Sequence, residues 1–383
     1  MSRLEELIQE LCPNGVAYRE IRKFANVSIG EFMHKNKQDP DAPYPVFNGG
    51  IANTGFYHEY NRTANKIIIS ARGANAGYVN RVFTNFWSGN SCYTIEIKDK
   101  SIDWNFLYYW LKSKEKKLLG EQQKGGIPAV SKKQVELFLV PVPPLEVQRE
   151  IVRVLDNFTE LTTELTTELT ARKKQYEYYR DQLLKFGDEV GRTKLAEVAE
   201  IFDSLHQTPH YSEKGYSMVR VQDVKAGYID LDFTRKVNEE VFNQFVKKYR
   251  PQRNDIVVSR VGSYGNFALI PNDCCCIGQN VAIIHSKILP KFLYYVLNSS
   301  KTKQWIDKNV KGASQKSFSL SDIKKIPIPN IAIEEQQRIV DILDRFDTLC
   351  NDLTAGLPAE IEARQKQYEY YRDKLLFFKG LEV

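Results

Sequence analysis

Two histidines four residues apart form the first pattern in this chain that suggests chemistry. His206-Gln207-Thr208-Pro209-His210 has the spacing of a helical metal-ligand pair. Pro209 lies between them, and a proline inside a helix spoils the geometry that would aim both imidazoles at one ion. Cys274-Cys275-Cys276 are consecutive, so they cannot readily converge on a zinc; they read instead as buried strand residues. Glu96-Ile97-Lys98 offers half of a carboxylate–lysine nuclease site but has no convincing partner acid. No Gly-x-x-x-x-Gly-Lys loop is present to cradle a nucleotide phosphate. These groups do not build a reaction centre between them, which counts against a solitary enzyme and predicts a chain with no metal or cofactor of its own.

The elements that would carry any site come in pairs. Lys174-Gln175-Tyr176-Glu177-Tyr178-Tyr179-Arg180-Asp181 recurs letter for letter at Lys366 to Asp373. Gln148-Arg149-Glu150-Ile151-Val152 matches Gln336-Gln337-Arg338-Ile339-Val340, Leu155-Asp156 matches Leu343-Asp344, and Phe158 matches Phe346. Ile67-Ile68-Ile69-Ser70 corresponds to Ile256-Val257-Val258-Ser259, Gly73 to Gly262, Gly89 to Gly278, and Phe106-Leu107-Tyr108-Tyr109 to Phe292-Leu293-Tyr294-Tyr295. The offsets of these matches lie between 186 and 192, so a half-length unit is duplicated in order along the 383 residues.

Each unit opens with a mixed α/β globule. Ile67–Ile69 and Ile256–Val258 read as buried strands, and Phe106 to Leu111 and Phe292 to Leu297 as helices. Prolines (Pro141, Pro143 and Pro144; Pro327 and Pro329) then separate strand from a long helical pattern, about Leu145 to Phe186 and about Ile333 to Phe378. About 40 residues at about 1.5 Å each make a rod of roughly 60 Å. A single apolar stripe of that length seeks a partner, and the two helices can pair as an antiparallel coiled coil. In the first sits a tandem array, Thr159-Glu160-Leu161-Thr162 and two further copies ending at Thr170. One copy adds about 6 Å of rod while nearly preserving the apolar face, whose leucines are expected to form the seam. The second helix is four residues longer between Leu353 and Arg364, where Pro358 should interrupt or kink it.

Net charge is +6 and pI about 8.7, a mild bias that permits nucleic-acid binding without demonstrating it. Hydrophobic residues make up 42% and charged ones 27%, enough for several folded cores. No apolar run approaches the roughly 20 residues that span a bilayer, so no membrane partner is expected. The six cysteines show no framework spacing, which fits a reducing cytoplasm.

With the duplication, the helix starts at Gln148 and Gln336, the Lys-Gln-Tyr-Glu-Tyr-Tyr-Arg-Asp segments and the Thr-Glu-Leu-Thr array, essentially the whole chain resembles the specificity (S) subunits of type I restriction–modification systems. The resemblance implies an α+β architecture. Two similar target-recognition globules (1–142 and 187–328) are separated by helical regions (143–186 and 329–383) paired as an antiparallel coiled coil with pseudo-twofold symmetry. It implies a non-catalytic reader of a two-part site in double-stranded DNA. The helices would dock two methyltransferase (M) subunits, and restriction (R) subunits would join further out. S-adenosylmethionine, ATP and Mg are expected on those partners. Val142-Pro143-Pro144-Leu145 lacks the preceding Asp or Asn and the following aromatic of an adenine-methyltransferase motif, so target-base chemistry is not expected here.

Groove reading needs donors and acceptors on loops, with cations for phosphates. The candidates are Arg72, Asn75, Arg260, Ser263 and Tyr264 in the glycine-bearing loops after the buried strands. Further candidates are His34, Lys35, Asn36, Lys37 and Gln38 in the first unit, and His206, Gln207, Thr208, His210 and Tyr211 in the second. Lys124, Lys311, Gln315 and Lys316 are candidates for phosphates. Partner docking is expected at Tyr176, Tyr179 and Arg180 and their copies Tyr368, Tyr371 and Arg372, although at least one tyrosine of each copy should pack inward.

Overall fold

In a computed structural model the described residues are 3–119, 128–310, 317–351 and 356–381. They gather into two compact units, Met1–Glu164 with Glu362–Val383, and Leu165–Ile361. Each unit therefore takes a globule together with part of both helical regions.

In the first unit a four-stranded antiparallel sheet runs in the order Ala25–Ile29, Cys92–Ile97, Lys66–Ser70, Val79–Val82. Its central strand is the apolar run seen in the sequence, with Ile67, Ile68 and Ile69 all buried. A three-stranded sheet (Gly55–Tyr57, Tyr44–Phe47, Trp87–Ser88) stands beside it, and Tyr18–Glu20 pairs with Leu139–Pro141. The second unit repeats this plan. Ala199–Asp203, Val281–Ser286, Ile256–Ser259 and Phe267–Leu269 form the large sheet, extended by Gly227–Tyr228. Arg235–Val237, Tyr216–Val219 and Cys275–Ile277 form the small one, and Arg192–Lys194 pairs with Pro327–Pro329. Gly227–Tyr228 and the helix Glu239–Phe245 belong to extra chain in this copy.

The letters shared by the two copies prove to be the joints of this frame. The helix Trp104–Ser113 begins at Asp103, whose carboxylate accepts from the amides of Asn105 and Phe106, and it buries Phe106, Leu107, Tyr109 and Leu111. Gln148, fully buried, ties that helix start to the long helix. Its Oε1 accepts from Asp103 N at 2.8 Å, while its Nε2 donates to the carbonyls of Ser101 (2.8 Å) and Pro143 (2.7 Å). Gln336 repeats the clamp, accepting from Leu289 N at 3.3 Å and donating to the Ile331 carbonyl at 2.9 Å. About two turns further on, Tyr109 Oη donates to Asp156 and Tyr295 Oη to Asp344, both at 2.5 Å. Burial and the neighbouring carboxylate push both phenols well above their ordinary range, so they stay donors.

The long helix is continuous over Leu145–Leu183. The second helical region is two helices, Ile333–Asn351 and Leu357–Leu375, with Pro358 in the first turn of the latter, where a missing N–H costs nothing. In the first unit Phe158 stacks on Tyr371 (5.5 Å between centroids, 22°). In the second unit Tyr179 stacks on Phe346 (5.6 Å, 25°). The same aromatic pair thus recurs with its helices exchanged, as antiparallel pairing of duplicated segments requires.

The leucines of the tandem array keep the expected seam in part: Leu165 and Leu169 lie on the covered stripe, whereas Leu161 leaves it and Thr162 takes that place. Ile151 and Leu155 are fully buried, but Leu161 is 46% exposed and Leu165 and Leu169 are only partly covered. The threonines are accommodated by back-bonding: Thr159, Thr162, Thr163 and Thr170 each donate Oγ1 to the carbonyl four residues earlier. The array is lightly packed helix, in contrast to the fixed joints on either side.

Candidate nucleic-acid interface

The loops that follow the two buried strands hang on matching hydrogen bonds. Ala71 N donates to the Ser91 carbonyl and its own carbonyl accepts from Val130 N, both at 2.8 Å. Arg260 N donates to Asn280 at 2.9 Å and its carbonyl accepts from Phe318 N at 2.8 Å. Gly77 and Gly265 close the loops onto Ser70 and Ser259. Gly73 (φ +91°) and Gly262 (φ +71°) adopt the left-handed backbone, and a Cβ at either would meet nothing, so each loop tip faces open space.

These bonds align Arg260 with Ala71, and Arg72 with Val261, so the two candidate arginines are not counterparts. Arg72 is exposed, with Nη2 3.5 Å from the Asn90 carbonyl, and Asn75 is exposed beside it. Arg260 is pinned instead. Its Nη1 pairs with Asp203, its Nε donates to the Phe318 carbonyl at 3.3 Å, and its side chain is 14% exposed. Its expected place among free base-reading groups is corrected accordingly, because its donors hold the loop to the sheet. Arg260→Ala should destabilise the second unit by about 1–3 kcal/mol, read as a lower urea midpoint, with base preference unchanged.

Ser263 is exposed, whereas Tyr264 is half-buried against the core and its hydroxyl reaches Asp307 at 3.4 Å. Lys35 and Asn36 stand exposed on a 3-10 turn, Lys35–Lys37, next to the His34 ring packed edge-on against exposed Phe32. Gln207 and Thr208 are exposed, and Gln207 Oε1 accepts from Gln244 at 2.8 Å. Lys124, Lys311, Gln315 and Lys316 lie outside the described residues.

In the second unit Thr208, Tyr211 and Ser263 converge on a cleft of about 360 Å³. Its remaining polar lining, Arg220, Gln222, Gln279 and Asn280, was not singled out by sequence reasoning. Gln279-Asn280 directly follow the repeated Gly278, and that was the available signal. Amides, hydroxyls and one guanidinium on an open cleft are donors and acceptors of the kind that read base edges. The groups considered for catalysis are placed otherwise. Burial pushes the thiols of Cys275 and Cys276 up to about 12, which keeps them protonated and inert. Glu96 pairs with Lys66 at 3.3 Å, and no cluster able to hold a metal ion occurs among the described residues.

On the helices, the repeated tyrosines divide by face. Tyr176 is buried in the core of the second unit, so its expected docking role is corrected; burial also pushes its phenol far up. Tyr368 packs against the core of the first unit. Arg180 and Arg372 lie over these rings and pair with Asp181 and Asp373, their side chains 11% and 20% exposed. Tyr179 and Tyr371 keep exposed edges, but the freest rings are Tyr178 (61% exposed) and Tyr370 (65%). No described helix is long and apolar enough to cross a membrane.

The family described as the type I restriction modification DNA specificity domain matches residues 13–173 and again 188–363. The chain is 35% identical over 289 residues to the specificity subunit of a type I restriction enzyme of Escherichia coli, covering 71% of this chain and 70% of that one. Its fold is similar to the crystal structure of a type I S subunit from M. genitalium (TM-score 0.56, 19% identity, 94% of each chain). It is also similar to a chain from work on assembly and conformational transition of the type I system (TM-score 0.57, 16% identity, 95% of this chain and 98% of that one). With two matched domains, two copies of one frame and helices that pair by exchange, the chain belongs to the family of type I restriction–modification specificity subunits and carries two target-recognition domains.

Proposed function

We propose that this chain reads a bipartite double-stranded DNA site, one half with each recognition domain (1–142 and 187–328), and has no catalysis of its own. The helical regions 143–186 and 329–383 set the gap between the halves and dock two methyltransferase subunits. Restriction subunits join that assembly, and S-adenosylmethionine, ATP and Mg belong to those partners in the cytoplasm. The observation that carries this reading is the pairing of a constant frame with unlike surface groups. The joints at Gln148 and Gln336, and at Asp156 and Asp344, correspond in the two copies, whereas the exposed polar groups differ: Arg72 and Asn75 on the loop of the first unit, and Ser263, Gln222 and Gln279 around the cleft of the second.

Each unit offers a docking face of its own, centred on Tyr370 beside the exposed edge of Tyr371 in the first and on Tyr178 beside that of Tyr179 in the second, because aromatic side chains free of the core suit an interface. Co-expression with an adenine methyltransferase from the same operon should yield a stable complex of two methyltransferases per chain. The double variant Tyr178→Ala, Tyr370→Ala should weaken that assembly by on the order of 10- to 100-fold in sedimentation titrations while leaving the fold intact. Failure of the wild-type chain to co-purify with the methyltransferase would overturn the reading.

A further inference from the structure

We infer that Arg220 reads a guanine in the half-site taken by the second recognition domain, with Gln222 occupying the arginine's outer edge until the base displaces it. This inference rests on the bipartite reading proposed above. Gly278 N donates to the Val219 carbonyl at 2.8 Å, as Gly89 N does to Phe47 at 2.7 Å, so Arg220 stands where the first unit has Asn48. The two copies therefore share the joint and differ at the residue after it: Arg220-Val221-Gln222 in one, Asn48-Gly49-Gly50 in the other.

The guanidinium is held before any DNA arrives. Nε and Nη2 donate to the two oxygens of Asp223, at 3.1 and 3.2 Å. Asp223 is itself fixed, since its Oδ2 accepts the Arg220 backbone amide at 2.9 Å and its side chain is 13% exposed. With the Gln222 amide turned so that donors face acceptors, its oxygen accepts from Nη2 at 2.7 Å and Nη1 at 3.2 Å. That oxygen sits on the outer edge from which an arginine makes its paired contact to guanine O6 and N7. Guanine offers one acceptor to each N–H, where the amide offers a single oxygen to both. Adenine would present its N6 donor to a donor and be rejected. Gln222 is exposed and can swing out, and Gln279 and Ser263 border the same cleft. An aimed arginine with a displaceable acceptor is a preorganised reader of one base.

The test uses the full chain with its methyltransferase subunits and a DNA library randomised in both halves. The wild type should require guanine at one position of the second half. Arg220→Ala should lose discrimination at that position alone by about 10- to 100-fold, with the first half unchanged as an internal control of folding. Gln222→Ala, which leaves the turn untouched, should bind several-fold tighter with the same preferred base. Uniform weakening of Arg220→Ala across all sequences would show a phosphate contact and overturn the inference. So would a second half without guanine, or a changed base preference in Gln222→Ala. A wild-type complex that shows no second half-site at all would instead overturn the bipartite reading itself.

Discussion

Inserting one further Thr-Glu-Leu-Thr copy after Thr170 should abolish methylation of the native site and create methylation at a site whose gap is wider by about one or two base pairs. Four residues add about 6 Å of helix, against about 3.4 Å per base step. Both recognised halves should remain as they were, because the insertion lies outside the joints that build either domain. The array is suited to such a change. Its leucines are at most partly buried, with Leu161 46% exposed, so lengthening it disturbs little packing. Thr159, Thr162, Thr163 and Thr170 donate to carbonyls four residues earlier, a local pattern that an added copy repeats within the same helix. Altered halves with an unchanged gap, read by sequencing methylated adenines, would refute the spacer role.

The largest stability effect falls on the clamp at the start of the long helix. Gln148→Ala should cost the first unit about 3 kcal/mol or more, since it leaves Asp103 N and the carbonyls of Ser101 and Pro143 without the bonds that Gln148 gives them, and each buried orphan costs about 1–3 kcal/mol. Gln336→Ala should cost the second unit less, because its clamp has two such bonds and one of them is 3.3 Å long. Urea unfolding of the two variants against the parent chain checks the order; equal losses would mean that the hydrogen bonds are not what the glutamines contribute.

The frame was legible because duplication prints every joint twice. Gln148 with Gln336, Asp156 with Asp344 and Phe158 with Phe346 stand out as letters before any contact is known, and each proves to hold the same place in its unit. The same comparison is blind where the copies differ, and that is where reading a base would occur. Arg220 is equivalent to Asn48 in the repeat, so nothing marked it, and its neighbours Gln279 and Ser263 arrive from other strands. Arg260 was misjudged because its anchor, Asp203, lies 57 positions away in sequence and beside it only once the sheet forms. The sequence led one tyrosine of each copy to be expected inward, yet it could not say that Tyr176 would be the one buried and Tyr178 left exposed.

Single-molecule sequencing of methylated adenines, in cells carrying this chain and its methyltransferase and in cells lacking only this chain, tests the assignment most directly. Two short, unlike sequences held at one constant spacing, vanishing together when the chain is removed, is the expected pattern. A single uninterrupted motif, or methylation that persists without the chain, would contradict the assignment of sequence reading to its two domains.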